Sequence, residues 1–177
     1  GTKRYFGLYK SGKKTGYRTV SKIVYPGTIV YSAEDVFKVN MAGISREVYF
    51  QEIAGIDSVT GKSSNFQFTL HSGSHLYHCE GKVKNDSLFI EIRNNIFSPI
   101  RKGAFPLDGD IVYPVTLLST FKKAQKDTLS LSVFDPLVFS FSTVRIEKAG
   151  KEKIKKDGQY IETTKYLIIS SSRKAQI

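Results

Sequence analysis

Apolar and polar residues alternate along most of the chain with the period expected for β-strands. In Phe66-Gln67-Phe68-Thr69-Leu70 every second side chain is apolar, which places Phe66, Phe68 and Leu70 on one face of a strand. Comparable aromatic and aliphatic runs recur between short polar segments. The pattern predicts strands at residues 4–9, 17–25, 28–40, 45–58, 66–70, 75–83, 88–92, 128–134, 137–147, 152–155 and 159–170.

Glycine-containing and proline-containing segments predict the turns between these strands. Pro26-Gly27 and Ser72-Gly73-Ser74 are compact turn signals. Gly12-Lys13-Lys14-Thr15-Gly16 is glycine-rich and basic, but it lacks the spacing and the following helix of a phosphate-binding loop, so it predicts a hairpin turn. Residues 96–110, which include two prolines and two glycines, predict an irregular connection. Consecutive short turns indicate a meander of antiparallel hairpins.

The segment Ile111 to Gln125 is the one helix candidate. Val115, Leu118 and Phe121 recur at helical spacing. Pro114 falls in the first turn, where its missing N–H costs little, and lysines near the end suit the negative pole of the helix dipole.

These elements predict a mainly β fold. We expect a large curved antiparallel sheet or incomplete barrel, with one α-helix packed against its concave side. No internal repeat or low-complexity linker divides residues 1–177, so the sequence predicts a single β-rich domain.

The composition favours strands and gives a basic chain. Ten Tyr and twelve Phe suit pleated, half-buried surfaces. Lys and Arg outnumber Asp and Glu by 27 to 16, a net charge of +11, which could serve an anionic partner. The lysines are scattered over turns and ends without exposed aromatic residues between them, so we expect a solvated basic surface and disfavour nucleic acid as a partner. No run of about 20 apolar residues predicts a transmembrane segment.

Three histidines and the only cysteine occur within nine residues, at His71, His75, His78 and Cys79. These are the side chains that zinc prefers. If Ser72-Gly73-Ser74 is the loop, His71 and His75 become cross-strand neighbours about 5 Å apart. Cys79 then lies on the face of His75 but about 13 Å along the strand, and His78 points to the opposite face. We therefore assign no metal site.

Other candidate chemistry also has a plainer explanation. Cys79 precedes Glu80 within a strand, a setting that disfavours the thiolate needed for catalysis. Asp135-Pro136 separates two apolar runs and predicts a corner. The aromatic series could line a ligand groove, but core and edge packing is the favoured interpretation; its members are Tyr5, Phe6, Tyr9, Tyr17 and Tyr25. We assign no catalytic residue and no cofactor, and the ligand-binding residues are unknown at this stage.

Three parts of the sequence resemble a known bacterial domain. They are Tyr5-Phe6-Gly7-Leu8-Tyr9 with Gly12 to Tyr17, then Val133-Phe134-Asp135-Pro136, and an ending that includes Val144, Glu147, Ile154 and Gly158. They are similar to the β domain that precedes the transglutaminase-like, papain-type core in a group of bacterial envelope proteins, and to uncharacterised periplasmic β proteins.

This resemblance implies a non-catalytic accessory domain in the periplasm or cell envelope, with its signal sequence removed. It implies that the chain is part of a longer protein, and the ending at residues 173–177 reads as an interrupted strand. The catalytic triad of such proteins belongs to a downstream core, and no position here matches it. The expected function is to position a substrate or a protein or peptide partner. The alternative is a stand-alone periplasmic module that binds a lipid, another amphiphile or an anionic envelope polymer.

Overall fold

The computed structural model of the chain describes residues 1–10, 12–41, 43–137, 139–156, 158–170 and 174–176. They belong to two compact units, Gly1–Ile111 and Val112–Ile177, and each unit is described by itself. That residues 1–177 form a single domain stays a prediction.

The first unit is an eight-stranded antiparallel sheet whose strands follow the order of the sequence. Each strand pairs with its neighbours in the chain, as a meander requires. The prediction of a mainly β, antiparallel fold is confirmed. The strands are β1 (Thr2–Lys10), β2 (Lys13–Tyr25), β3 (Thr28–Met41), β4 (Ile44–Asp57), β5 (Ser63–Ser72), β6 (His75–Lys84), β7 (Ser87–Asn94) and β8 (Arg101–Pro106).

Two segments of this unit are strands where the sequence predicted a connection or a turn. Residues 101–106 form β8, although the prolines and glycines around them indicated an irregular connection. Of the predicted turn Gly12 to Gly16, the residues from Lys13 to Gly16 lie within β2. A Cβ on Gly16 would come within 2.0 Å of the carbonyl oxygen of Val36 on β3, so this glycine permits a close approach of two strands.

The register of the sheet separates an apolar face from a more polar one. Phe66 lies opposite Gly81, and Phe68 lies opposite Cys79. Cross-strand partners lie on the same face of the sheet, and most of the unit's buried side chains fall on one face. We call it the apolar face. Its buried members include Tyr31, Ala33, Ala54, Phe66, Phe68, Cys79, Leu88 and Ile90. The opposite surface, called the polar face, carries Glu34, Gln51, Thr69 and His78.

The second unit contains a smaller antiparallel sheet and the helix. Its strand order is β12-β11-β10-β9. The strands are β9 (Thr128–Asp135), β10 (Ser140–Lys156), β11 (Gln159–Ser170) and β12 (Lys174–Gln176). The strands predicted at 137–147 and 152–155 are parts of one long strand, because the register shifts between Lys148 and Gly150 without breaking the pairing. Arg173 and Ile177, from the predicted interrupted strand, lie outside the described residues.

The helix α1 (Leu117–Ala124) is shorter than predicted and follows a 3-10 turn at Pro114–Thr116. The Thr116 hydroxyl donates a hydrogen bond to the Tyr113 carbonyl (3.0 Å) and accepts one from the Tyr113 N–H (3.2 Å). These two bonds fix the start of the turn. The helix ends at Gln125, which has a left-handed conformation with φ of 52°.

The helix packs on the smaller sheet. Leu117 and Phe121 join a buried cluster with Val133, Ile146 and Ile168 from β9, β10 and β11. Phe121 also makes an edge contact with Tyr166, at 5.9 Å between ring centroids. The sequence predicted a helix against one large sheet, whereas the structure has two sheets and this cluster belongs to the smaller one. Periodicity defines which face is apolar but not which element covers it.

Candidate interaction site

The edge strand β1 is the first element of the candidate site. Among the described residues, β1 pairs with β2 on one side and with no strand on the other. The opposite edge, β8, has six residues, begins with Arg101-Lys102 and ends in Pro106. Shortness and proline both hinder further pairing at an edge. By contrast β1 has nine residues and no proline, so its outer row of backbone N–H and C=O groups is the better template for an added strand.

Three tyrosines lie on the polar face from this edge inwards, and we call them the tyrosine surface: Tyr5 on β1, Tyr17 on β2 and Tyr49 on β4. Tyr5 lies opposite Thr19, which makes Tyr17 its diagonal neighbour on β2. Tyr17 and Tyr49 both flank Val36 of β3. The exposed fraction is 71% for Tyr5 and 50% for Tyr17. Lys3 places its ammonium 5.5 Å from the centre of the Tyr5 ring, within the range of a cation–π contact.

The phenol of Tyr49 stays protonated at neutral pH. Burial raises its pKa, and the nearby Glu34 and Tyr17 raise it further because each disfavours a second negative charge. The Gln51 side-chain amide lies 3.4 Å from the same Glu34 carboxylate and donates to it. The tyrosine surface therefore combines flat apolar rings with hydroxyl groups that can donate hydrogen bonds to a partner.

The structure corrects the interpretation of the aromatic series. Core and edge packing was favoured for it. Tyr5, Phe6, Tyr17 and Tyr25 are all exposed, so the core part of that prediction is wrong for these four, whereas Tyr5 and Phe6 do lie on the edge strand β1. The side chain of Tyr9 lies outside the described residues. Strand periodicity could not show that these rings are exposed, because β1 and β2 lie at an edge of the sheet, where neither face has to be covered.

A shallow cleft of about 370 Å³ lies further along the sheet, on β5, β6 and β7. It is lined by Thr69, Leu76, His78, Glu80, Glu91, Ile92, Arg93 and Ile100. Glu91 accepts a 2.7 Å hydrogen bond from the Lys102 ammonium. This bond and the positive charge of Lys102 lower the pKa of Glu91, so the carboxylate is ionised at neutral pH.

Inside the cleft a hydroxyl, an imidazole and a carboxylate follow one another. Thr69 Oγ1 is 3.0 Å from His78 Nδ1, and His78 Nε2 is 3.8 Å from Glu80 Oε2. Such a series could move a proton. Acyl transfer would also need free N–H donors for the developing oxyanion, whereas β5, β6 and β7 are paired on both sides within the sheet. The arrangement suits hydrogen bonding to a ligand better than nucleophilic catalysis.

The side chains of the histidine cluster, His71, His75, His78 and Cys79, do not meet at one site. The turn between β5 and β6 is one residue tighter than predicted, so His75 lies opposite Ser72 and His71 lies opposite Leu76. The predicted His71–His75 pair is therefore wrong, and the two side chains belong to opposite faces. His78 does lie on the face opposite Cys79, as predicted. No group of three or more His, Cys, Asp or Glu side chains able to hold a metal ion occurs among the described residues.

Cys79 is fully buried beside Phe68 on the apolar face. Burial raises the pKa of its thiol to about 12; a hydrogen bond with Tyr77 lowers it and the Glu80 carboxylate raises it. The thiol is therefore protonated at neutral pH and does not have the low pKa of a catalytic nucleophile.

A group of ion-paired side chains on the apolar face was not predicted from the sequence. Arg18 Nη1 donates to Asp35 Oδ2 at 3.2 Å, and Arg18 Nη2 lies 3.7 Å from Glu52 Oε2. Burial raises the pKa of Asp35 and the Arg18 guanidinium lowers it, burial being the larger effect. The signal was present in the alternation, since Asp35 lies between Ala33 and Phe37, and Glu52 lies between Phe50 and Ala54, on strand faces where these neighbours are apolar.

Two remaining sequence features have the plain roles expected of them. Gly12 has φ of 76° between β1 and β2, as a hairpin turn requires. Asp135 ends β9, and its Oδ1 accepts the N–H of Leu137 at 2.8 Å, which makes Asp135-Pro136 a corner.

In the described part of the chain, no helix is long and apolar enough to cross a membrane. Comparison of the chain with family models, with curated proteins and with solved structures gave no match. The resemblance to a transglutaminase-associated β domain therefore stays a prediction.

Proposed function

We propose that this chain is a non-catalytic interaction domain of a bacterial transglutaminase-like envelope protein, and that it holds an extended segment of a substrate or protein partner along β1. The observation that carries the proposal is the long edge strand β1 bordered by the exposed rings of Tyr5 and Tyr17. Strand addition uses the backbone groups of such an edge for affinity and pockets beside alternate side chains for selectivity.

The chemistry of the edge favours a peptide that carries apolar and acidic residues. Tyr5 and Tyr17 offer rings against which alternate side chains of an added strand can pack. Lys3 and Arg4 lie in the same strand, and their charges suit carboxylates on the peptide. The buried Cys79 and the paired strands around His78 support the non-catalytic part of the proposal.

Peptide selection against the whole protein tests this function. Extended peptides selected from a displayed random library should perturb the backbone amide resonances of residues 2–10 and slow their hydrogen exchange. Tyr5→Ala should weaken binding about tenfold, the usual effect of removing an aromatic anchor. Tyr160→Ala is the matched control, because Tyr160 is 72% exposed but lies on β11 in the other unit. Binding that leaves residues 2–10 unperturbed would contradict the proposal.

The non-catalytic assignment has its own test. The wild type, Cys79→Ala and His78→Ala are assayed against a panel of peptidase, esterase and transglutaminase substrates. We expect no turnover above the uncatalysed rate for any of them. Turnover that disappears in His78→Ala would assign catalysis to the Thr69–His78–Glu80 series instead.

The cellular context rests on the resemblance alone. A photo-reactive residue at position 5 in the native gene product should crosslink to a transglutaminase-like core or to that core's protein substrate in the envelope fraction of the cell. Recovery of the protein only from the cytosolic fraction would contradict the envelope assignment. It would not contradict peptide binding at β1, which the peptide selection tests separately.

A further inference from the structure

The two ends of the eight-stranded sheet differ in charge. Because successive strands alternate in direction, the turns after β1, β3, β5 and β7 lie at one end. We call it the basic end and define it as residues 12–14, 43–46, 72–75 and 93–101. No Asp or Glu occurs in these segments, whereas Lys13, Lys14, Arg46, Arg93 and Arg101 do. The turns and strand termini at the other end mix both signs, with Asp57, Asp86, Asp108 and Asp110 beside Lys62 and Lys84.

The basic end also exposes large apolar side chains. The loop between β7 and β8 carries Ile96, Phe97 and Ile100, and the tip of the β3–β4 hairpin adds Ile44; all four are exposed. Phe97 is 97% exposed and Ile96 68%. A single exposed apolar residue is ordinary, but adjacent ones among cations and without carboxylates indicate a contact surface.

The β7–β8 loop is held in place at its base. The Asn95 N–H donates to the Leu76 carbonyl at 2.7 Å, and Asn95 Oδ1 accepts the Leu76 N–H at 3.2 Å. Asn95 has φ of 70°, a conformation that asparagine tolerates better than most residues. These bonds join the loop to β6, so Ile96 and Phe97 extend from an anchored turn.

We infer that the basic end docks on the surface of an anionic phospholipid bilayer, with Ile96 and Phe97 entering the interface. A bilayer presents negative headgroups directly above hydrocarbon, and it can receive apolar side chains encircled by cations. A nucleic-acid duplex or an acidic protein surface would satisfy Arg93 and Arg101, but it offers no layer of hydrocarbon for Ile96 and Phe97 together. This surface is distinct from the peptide-binding edge of β1, so the inference goes beyond the proposed function.

The chain contains no tryptophan, which makes a direct test available. Phe97→Trp introduces a single fluorophore at the loop apex. Vesicles of equal parts phosphatidylglycerol and phosphatidylcholine should shift its emission to shorter wavelength, and brominated acyl chains should quench it. Val59→Trp is the matched control, because Val59 is 89% exposed in the β4–β5 turn at the other end; its emission should not change.

Sedimentation with the same vesicles separates the two contributions. Phe97→Ser should weaken binding about tenfold, because the transfer of one large apolar side chain is lost. Arg101→Gln should weaken it about fivefold and reduce its dependence on salt. Lys84→Gln, a charge removed at the other end of the sheet, should have no comparable effect. Pure phosphatidylcholine vesicles should bind much more weakly.

Three results would overturn the inference. The first is no binding to anionic vesicles by the wild type. The second is vesicle binding that Phe97→Ser leaves unchanged, or fluorescence of the Phe97→Trp variant that brominated lipid does not quench. The third is tighter binding to double-stranded DNA or polyglutamate than to vesicles, without sensitivity to Phe97→Ser, which would assign the basic end to a soluble polyanion. None of these results bears on peptide binding at β1.

Discussion

The ring of Phe66 occupies the space that a side chain at position 81 would need. The two residues are direct cross-strand partners on β5 and β6. A Cβ built on Gly81 would lie 2.2 Å from Phe66 Cε1 and 3.1 Å from Leu88 Cδ1. An aromatic ring that covers a glycine on the neighbouring strand shields the backbone and pins the register of the pair.

We therefore expect Gly81→Ala to destabilise the protein by about 1–3 kcal/mol, the usual cost of overpacking a filled site. The measurement is the free energy of unfolding in urea. Gly103→Ala is the control, because Gly103 lies two strands away in the same cross-strand row and its added Cβ would meet only Phe105 Cε2, at 3.9 Å. Equal effects of the two substitutions would mean that the Phe66 contact is unimportant.

Cys79 should resist alkylation in the folded protein. Its pKa of about 12 leaves almost no thiolate at pH 8, and its side chain is inaccessible. We expect iodoacetamide to modify the urea-unfolded chain at least a hundredfold faster than the folded one, as an order-of-magnitude estimate from thiolate fraction and burial. Val59→Cys in a Cys79→Ala background should react rapidly while folded. Similar rates at both positions would contradict the burial of Cys79.

The same thiol links stability to alkaline pH. Its pKa is raised from 9.0 to about 12 on folding, so the folded state keeps a proton that the unfolded state releases. The contribution is fully present below pH 9 and is lost as the pH rises towards 12. The free energy of unfolding should fall more steeply over this range for the wild type than for Cys79→Ala. Parallel curves would be inconsistent with the shift.

Removing Arg18 should destabilise the sheet, because Asp35 and Glu52 would lose their cation on a half-buried surface. We expect Arg18→Met to cost about 1–3 kcal/mol at pH 7. The loss should shrink as the pH falls into the acid range, because burial raises the pKa of Asp35 and its carboxyl group gains a proton earlier than an exposed aspartate would. Arg145→Met is the control: Arg145 pairs with Glu147 but is 56% exposed, so the effect should be within about 1 kcal/mol. A cost independent of pH would contradict this account.

The end of α1 offers a stabilising substitution. Gln125 has φ of 52°, and its N–H donates to the Lys122 carbonyl at 3.4 Å. Glycine adopts this conformation without steric cost, so Gln125→Gly should stabilise the protein by about 0.5–1 kcal/mol. Thermal unfolding measures the change. Lys126→Gly, one residue further and without positive φ, should give no gain; a gain there would mean that helix termination is not the cause.

Much of the fold was predictable from periodicity and turns. Phe66, Phe68 and Leu70 share one face as their alternation indicated, and Pro26-Gly27 is a turn between two long strands. Periodicity shows which face of a strand is apolar, but it does not show with which strand that strand pairs or which element covers the face. It could not divide the strands between two sheets, and it missed β8, in which Gly103 and Pro106 are tolerated because an edge strand pairs on one side only.

The site was much less predictable than the fold. The contact between Thr69 and His78, and the one between Arg18 and Asp35, depend on register, and a one-residue difference in a turn changes every pair. That sensitivity is also why the predicted His71–His75 pair is wrong. The exposure of Tyr5 and Tyr17 follows from their place at an edge, which no local pattern reveals. The charge asymmetry of the two ends was readable only once the strand directions were known.

The uninterrupted order of the eight strands has a consequence for how the sheet assembles. Because each strand pairs with its predecessor in the chain, every new pairing closes only a short turn, and the contacts stay local in sequence for so large a sheet. Topologies of this kind fold faster than sandwiches of similar size with distant pairings. The first unit could therefore form hairpin by hairpin as it leaves the ribosome, with β1 and β2 already paired before β8 is made.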